Sequence, residues 1–354
     1  MENITHTLVG AALGRAGLSK KAPLAAPALL VAANLPDLDI FGWLIGQNYL
    51  DFHRGITHAV AGSLALSVGQ AAVFHGINLW RARKTPARPS LGWMWIVCLT
   101  GILSNPVLDY LNDYGIRPWM PFDSSWHYGD LLGITDPWVW IIFGSVLFVG
   151  TRSRWGRVGW LVLGGLMLTF LSLSRGLAFA AVWTTVLLAA VAAGRLMRQR
   201  GLNAALAALG LFTAYLAALL AMRESVAMSA RGAVPGLIAG KIERIEVLPG
   251  RPASPHRWMV VVESPDQYHI ADVTLQDWRA HPPLFETFDK NLDHACYRAS
   301  LAQEEIASLA RFARFPSVSV EVSGDRCSVW LRDLRYARKN EPTWGTAHAT
   351  VSHP

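Results

Sequence analysis

Long apolar stretches fill the first two thirds of the chain. They form eight windows, at 4–19, 22–36, 58–80, 91–111, 137–150, 158–173, 177–194 and 202–222. A helix needs about 20 apolar residues, and no fewer than about 17, to cross a bilayer. Several windows meet that length. The shorter ones, at 4–19, 22–36 and 137–150, are expected to be buried, tilted or partly interfacial.

Basic residues gather in the short segments between these windows. The clusters lie at 81–88, 151–157 and 195–200, and Lys20 and Lys21 form a fourth. Because Lys and Arg favour the cytoplasmic side of membrane proteins, we expect all four clusters on that side. If every window crosses, the C-terminal tail lies on the opposite, non-cytoplasmic side.

From Arg223 onward the pattern changes from continuous apolar runs to shorter, mixed segments. Residues 242–247 and 317–322 alternate as strands do, and 301–312 have the periodicity of an amphipathic helix. We therefore predict a mainly α fold. A polytopic membrane domain of six to eight membrane helices over 1–224 precedes a small soluble α+β domain over 225–354.

The composition agrees with a membrane location. Of the 354 residues, 52% are hydrophobic and only 16% are charged, against about 25% charged in an average soluble domain. The net charge of +7 could indicate nucleic-acid binding. However, the basic residues lie between apolar windows, and the sequence has no basic face interleaved with aromatic residues. We expect the lipid bilayer as a partner and no nucleic acid.

Imidazoles, carboxylates and one asparagine lie at the ends of apolar windows, where charge is expensive. They are His6, Asp37, Asp39, His53, His58, Asn105, Asp109 and Asp113. Ionisable groups at membrane depth usually mark function, and imidazole with carboxylate suits zinc, manganese or iron. The expected topology brings these residues to the non-cytoplasmic face, so we predict one metal site there.

Taken singly, the first of these motifs have simpler explanations. Asp37 and Asp39 follow a proline and could be a polar turn, yet paired like charges at a membrane edge repel unless a cation lies between them. His53 and His58 could be interfacial polar residues. His6 could simply mark the start of the first window. Their combination favours the metal site.

A second group supports the same interpretation. Asn105, Asp109 and Asp113 are spaced by four, which predicts one stripe of a helix. An acidic stripe inside an apolar window is hard to explain as surface.

Two cysteines, Cys296 and Cys327, lie in the tail and could pair in an oxidising compartment.

Four motifs together resemble those of the YdjM-like family of bacterial inner-membrane proteins, described as metal-dependent hydrolases. They are Thr5-His6, Leu35-Pro-Asp-Leu-Asp39, His53-Arg-Gly-Ile-Thr-His58 and Leu108-Asp109, and they fall within residues 1–140. The tail resembles that of a longer subgroup of the family. The family is in turn similar to zinc-dependent phospholipases C and P1-type nucleases, which are helical enzymes that hydrolyse phosphoesters.

The resemblance implies His6, Asp37, His58 and Asp109 as metal ligands, with Asp39 and His53 in or beside the same shell. We predict a membrane-bound hydrolase that cleaves a phosphoester, with a lipid-like substrate, by metal-activated water. Asp39 and His53 are its expected catalytic residues. Zn²⁺ is the expected metal, as one ion or more, with Mn²⁺ or Fe²⁺ as alternatives.

Two other functions remain open at this point. The chain could be a non-catalytic membrane protein with a structural metal, or an ion-coupled transporter whose acidic groups span the bilayer. In either case we expect a multi-pass protein of the bacterial inner membrane with a non-cytoplasmic C-terminal domain.

Asn105 departs from the family pattern, which places histidine at this position. An amide oxygen is a weaker zinc ligand than imidazole, so one metal position could be weakened. Asn105→His is therefore predicted to raise the zinc bound per protein, measured by elemental analysis. An unchanged metal content would count against Asn105 as a ligand position.

Overall fold

A computed structural model of the chain describes residues 1–46, 48–82, 90–250, 253–280 and 283–353. The basic residues predicted at 83–88 lie outside this part of the chain. The protein divides into two compact units. The first comprises Met1–Asp37 and Ile56–Leu219, and the second comprises Leu38–Gly55 and Leu220–Pro354.

Helices account for most of the chain. They are α1 (Asn3–Ala16), α2 (Ala25–Ala32), α3 (Tyr49–Phe52), α4 (Val60–Ala82), α5 (Leu91–Tyr110), α6 (Pro137–Gly150), α7 (Arg154–Arg175), α8 (Leu177–Gln199), α9 (Ala204–Leu237), α10 (Asp277–Ala280), α11 (Ala295–Ser300) and α12 (Glu304–Phe312). A 3₁₀ helix, Pro36–Ile45, follows α2. The sequence provides the starts of several: Ser90, Asp136 and Ser153 cap α5, α6 and α7 through their side chains.

The prediction of a polytopic helical membrane domain is confirmed. Within the described residues, α4, α5, α7, α8 and α9 are long and apolar enough to cross a membrane. The helix α2 and the first part of the 3₁₀ helix, bent by 46°, could form a sixth, broken span. The window predicted as short at 137–150 is the 14-residue helix α6, and α1 also has 14 residues.

Small residues let α2 pack closely between α1 and α5. A Cβ added at Gly10 of α1 would fall 2.8 Å from the Ala33 side chain, and one at Gly101 of α5 would fall 2.5 Å from that of Ala32. Such close approach of helix backbones is typical of membrane helices. It brings α1, α5 and the end of α2 together.

The second unit contains the predicted α+β domain. Its strands are β1 (Arg244–Pro249), β2 (Arg257–Glu263), β3 (Gln267–Thr274), β4 (Glu286–Asp289), β5 (Pro316–Ser323), β6 (Arg326–Asp333) and β7 (Thr346–Ser352). They form an antiparallel sheet in the order β1-β2-β3-β4 and a second one in the order β5-β6-β7. Cys296 of α11 and Cys327 of β6 form a disulfide.

Candidate metal centre

Four segments of the first unit bring their polar residues to one place. His6 lies in α1, Asp37 in the 3₁₀ helix after α2, His58 just before α4, and Asp109 near the end of α5. Pro36 separates α2 from the 3₁₀ helix, because a proline disfavours helical backbone in the residue before it. The four residues meet where α2 and α5 end and α4 begins.

The four side chains alternate imidazole and carboxylate around a ring. His6 Nε2 lies 3.7 Å from Asp37 Oδ2 and 3.4 Å from Asp109 Oδ1. His58 Nε2 lies 3.3 Å from Asp37 Oδ1 and 3.2 Å from Asp109 Oδ2. Each carboxylate therefore presents one oxygen to each histidine.

These separations fit a cation. Two ligands each about 2.0–2.1 Å from a tetrahedral zinc ion lie roughly 3.3 Å apart. The four imidazole-to-carboxylate distances range from 3.2 to 3.7 Å. Ligand atoms of His6, Asp37 and Asp109 all lie within 4.8 Å of one another. The donor set of nitrogen and carboxylate oxygen is the one that zinc, manganese and iron use.

Burial makes this concentration of charge expensive. His6 and Asp109 are fully buried, and His58 and Asp37 are 1% and 8% exposed. Two carboxylates in such surroundings repel each other strongly unless positive charge compensates them. The amino group of Met1 lies against the Asp109 carboxylate.

Asn105 contacts this centre through its amide nitrogen. Nδ2 donates hydrogen bonds to Asp37 Oδ2, at 2.9 Å, and to the carbonyl oxygen of Ala33, at 2.9 Å. Both partners can only accept, which assigns the nitrogen to that side. The oxygen Oδ1 is buried without a hydrogen-bond partner among the described residues. Asn105 thus orients Asp37.

Asp113 lies beyond the end of α5. It is buried, with 8% exposed, but the expectation that it continues the Asn105–Asp109 stripe is wrong because α5 ends at Tyr110. Asn112 Oδ1 accepts hydrogen bonds from the backbone N–H groups of Tyr114 and Gly115. This local turn competes with the helix and redirects the chain.

The remaining two predicted residues form a pair in the second unit. His53 Nδ1 lies 2.7 Å from Asp39 Oδ1, and the N–H of Arg54 donates to Asp39 Oδ2 at 2.9 Å. Both His53 and Asp39 are buried. A carboxylate hydrogen-bonded to one ring nitrogen fixes the tautomer and orientation of the imidazole.

The segment that carries this pair is anchored on α12. Arg311 donates two hydrogen bonds to the Asp51 carboxylate, at 2.8 and 2.6 Å, and the Ser308 hydroxyl donates to Asn48 at 2.7 Å. A bidentate arginine–carboxylate pair gives a defined geometry. The α+β domain therefore holds 38–55 in place.

The polar contacts that Trp140 and Tyr215 make around α6 were not anticipated from the sequence. Trp140 Nε1 donates to Thr5 Oγ1, one residue before His6, at 3.1 Å. Asp136 caps α6 and accepts a hydrogen bond from the Tyr215 hydroxyl at 2.9 Å. Burial raises the pKa of Asp136, although the Tyr215 hydrogen bond opposes this. A tryptophan in an apolar window gives no sequence signal that its indole nitrogen donates a hydrogen bond, as Trp140 does to Thr5.

Fold and centre together define a polytopic helical membrane protein with a buried imidazole–carboxylate cluster. A family model described as YdjM inner membrane protein matches residues 1–179, a segment that contains the whole cluster. The chain belongs to this family and is a multi-pass inner-membrane protein. Comparisons with curated proteins and with solved structures found no match. The similarity to phospholipases C and P1-type nucleases therefore stays a prediction.

Proposed function

We propose that the protein is a membrane-bound, metal-dependent hydrolase. His6, Asp37, His58 and Asp109 would hold the divalent cation, and a phosphoester with a lipid-like body would be the substrate. The observation that carries this proposal is the ring of alternating imidazole and carboxylate contacts of 3.2–3.7 Å. Zn²⁺ is the expected metal.

The residues around the ring prepare it for this role. A bound divalent cation supplies Lewis acidity and lowers the pKa of water. The amide of Asn105 holds Asp37 by its N–H group, and Thr57 Oγ1 lies 3.0 Å from His58 Nδ1. Hydrogen bonds of this kind fix the orientation of ligands. The burial of the ring excludes bulk water and strengthens electrostatic interactions within it.

We propose one ion or two in this ring, since each carboxylate presents a different oxygen to each histidine. His6, Asp37, His58 and Asp109 would hold the metal in either case. Paired metal ions about 3.5–4 Å apart are common in enzymes that cleave phosphoesters. Elemental analysis of the purified protein distinguishes a content near one ion from a content near two.

Asp39 and His53 remain the proposed catalytic residues. A carboxylate 2.7 Å from an imidazole nitrogen can share and transfer a proton. If they act in this way, Asp39→Asn lowers turnover and leaves the metal content unchanged.

The activity test compares purified protein on phospholipids and on generic phosphodiesters, with and without a chelator. We expect hydrolysis that the chelator abolishes and that added metal restores. Turnover that is insensitive to the chelator would reject the mechanism.

A structural metal is the second candidate function. Four buried ligands complete a tetrahedral zinc shell, whereas catalytic zinc keeps a position open. Metal retained without any hydrolysis would favour this alternative. An ion-coupled transporter is less well supported, because the ring lies at the ends of α4 and α5 instead of along their depth.

We further propose that the C-terminal domain faces the non-cytoplasmic side. The disulfide Cys296–Cys327 supports this location, because such bonds persist in oxidising compartments. The remaining cysteine, Cys98, is a buried free thiol and serves as the internal control.

Thiol counting in the native host tests this orientation. Cells are quenched with acid, and the protein is unfolded and treated with a maleimide reagent that adds mass. We expect one label per chain without reductant and three after reduction. Three labels without reductant would place the domain in a reducing compartment.

A further inference from the structure

A cavity that is open on one side lies in the first unit, apart from the metal centre. It has a volume of about 440 Å³ and is lined by α1, α6, α7 and α8. Its walls are apolar except for Arg195 and the hydroxyl groups of Ser145 and Thr184. Along α8 the lining extends from Trp183 to Arg195, which is about 18 Å of helix. This is close to the depth of one leaflet, because the hydrocarbon core of a bilayer is about 30 Å thick.

The two sites use opposite faces of α1. Ile4 and Leu8 line the cavity, and His6, two positions from each, is turned by about 200° from both. The cavity is therefore not the metal centre seen from another side.

A basic pocket continues the cavity at one end. It has a volume of about 460 Å³, shares Phe148 and Arg195 with the apolar cavity, and adds Arg157 and Arg198. Its six lining residues include three arginines and no acid. None of the three arginines forms an ion pair with a described residue. The apolar space thus ends in uncompensated positive charge.

Backbone carbonyls at the end of α6 hold two of these guanidinium groups. Arg198 Nη1 donates to the carbonyl oxygen of Val149 at 2.7 Å, and Arg157 Nε donates to that of Thr151 at 3.1 Å. Arg15 lies at the same end, since a Cβ added at Gly150 would collide with its guanidinium group. Positive charges fixed side by side at a membrane edge favour an anion between them.

We propose that these joined cavities bind an anionic phospholipid. Its phosphate would lie on Arg157, Arg195 and Arg198, and an acyl chain would fill the apolar space between α6, α7 and α8. Basic pockets between membrane helices are known to hold acidic headgroups. The site is separate from the proposed hydrolase centre, since Arg15 lies about 14 Å along α1 from His6.

Binding of defined lipids to the detergent-purified, full-length protein tests the site. Native mass spectrometry compares phosphatidylglycerol with phosphatidylcholine of the same acyl chains. We expect tighter binding of phosphatidylglycerol. Changing Arg157, Arg195 and Arg198 together to Gln should weaken phosphatidylglycerol binding by about 100-fold, because each lost charge reduces the affinity about fivefold. Arg152 and Arg154 belong to the same basic cluster but line neither cavity, so the Arg152→Gln/Arg154→Gln variant should keep the preference.

A second variant tests the apolar part without altering any charge. A Cβ at Gly164, which lines the cavity, or at Gly159, which does not, meets no atom within 4 Å. Gly164→Phe should therefore fill the cavity and abolish lipid retention, whereas Gly159→Phe adds the same bulk on the same helix and should retain lipid.

Three outcomes would overturn the proposal. The first is equal binding of the two lipids by the unaltered protein. The second is a preference for phosphatidylglycerol that survives the triple arginine change or Gly164→Phe. The third is thermal stabilisation by inorganic phosphate alone that equals stabilisation by phosphatidylglycerol, because the arginines would then hold a free phosphate.

Discussion

Purified His58→Ala protein is expected to contain almost no metal, and Asp109→Asn is expected to behave in the same way. His58→Ala removes one nitrogen of the ring, and Asp109→Asn removes one of its two negative charges at nearly constant volume. Loss of a residue that only orients a ligand already costs about 10–100-fold in affinity. A ligand should cost at least about 100-fold. Elemental analysis of the detergent-purified proteins measures the effect.

The chain offers a matched control for this experiment. His75 lies on α4, about 22 Å along the helix from its first residue, Val60. His75→Ala should keep the metal content of the unaltered protein. Metal retained by both His58→Ala and Asp109→Asn would remove the basis of the proposed function.

The second large effect concerns the stability of the α+β domain. Arg335→Ala should destabilise it by about 3–5 kcal/mol, because the carboxylate of Asp333 would be left buried without its cation. Arg335 Nη2 lies 2.6 Å from Asp333 Oδ2, and both side chains are fully buried. The guanidinium also lies over the rings of Phe312 and Tyr336, with its centre 4.7 and 4.9 Å from theirs.

A partly exposed ion pair of the same domain provides the comparison. Arg338 lies 3.1 Å from Asp272, with side chains 27% and 33% exposed. Exposed pairs contribute about 0–1 kcal/mol, so Arg338→Ala should have little effect. Thermal unfolding of the full-length variants, followed by a signal from the α+β domain, measures both. Equal losses for the two variants would contradict the assignment of Asp333–Arg335 as a key buried pair.

The sequence predicted most of the membrane architecture, because length and apolar content suffice to identify α4, α5, α8 and α9 as spans. The window at 158–173 fell short of about 17 residues, whereas the helix α7 extends over 22. The sequence also predicted a strand at 317–322, which lies in β5, and one at 242–247, which overlaps β1 from Arg244 onward. The extent of the second unit was not foreseen. Residues 38–55 belong to it through contacts made by residues more than 250 positions away, and no local pattern reports such contacts.

The cost of burying charge indicated eight residues, and the family resemblance implied His6, Asp37, His58 and Asp109 among them as ligands. The structure brings the side chains of these four together, and their role as ligands stays a prediction. The helical spacing failed at Asp113, because the side chain of Asn112 stabilises a turn after Tyr110. The spacing also gave no information on the direction of the Asn105 amide. That direction is decided by hydrogen bonds to Ala33 and Asp37 on another segment.

The anchoring of 38–55 on α12 has a consequence for how the protein can be dissected. Asp37 precedes the segment 38–55 and His58 follows it closely. Within this segment, Asp51 and Asn48 form hydrogen bonds with Arg311 and Ser308. A chain cut after α9 would keep every residue of the ring but would lose the support of the stretch that joins two of them. The residues beyond α9 therefore support 38–55, and truncation after α9 would be a poor route to a minimal fragment that keeps the ring intact.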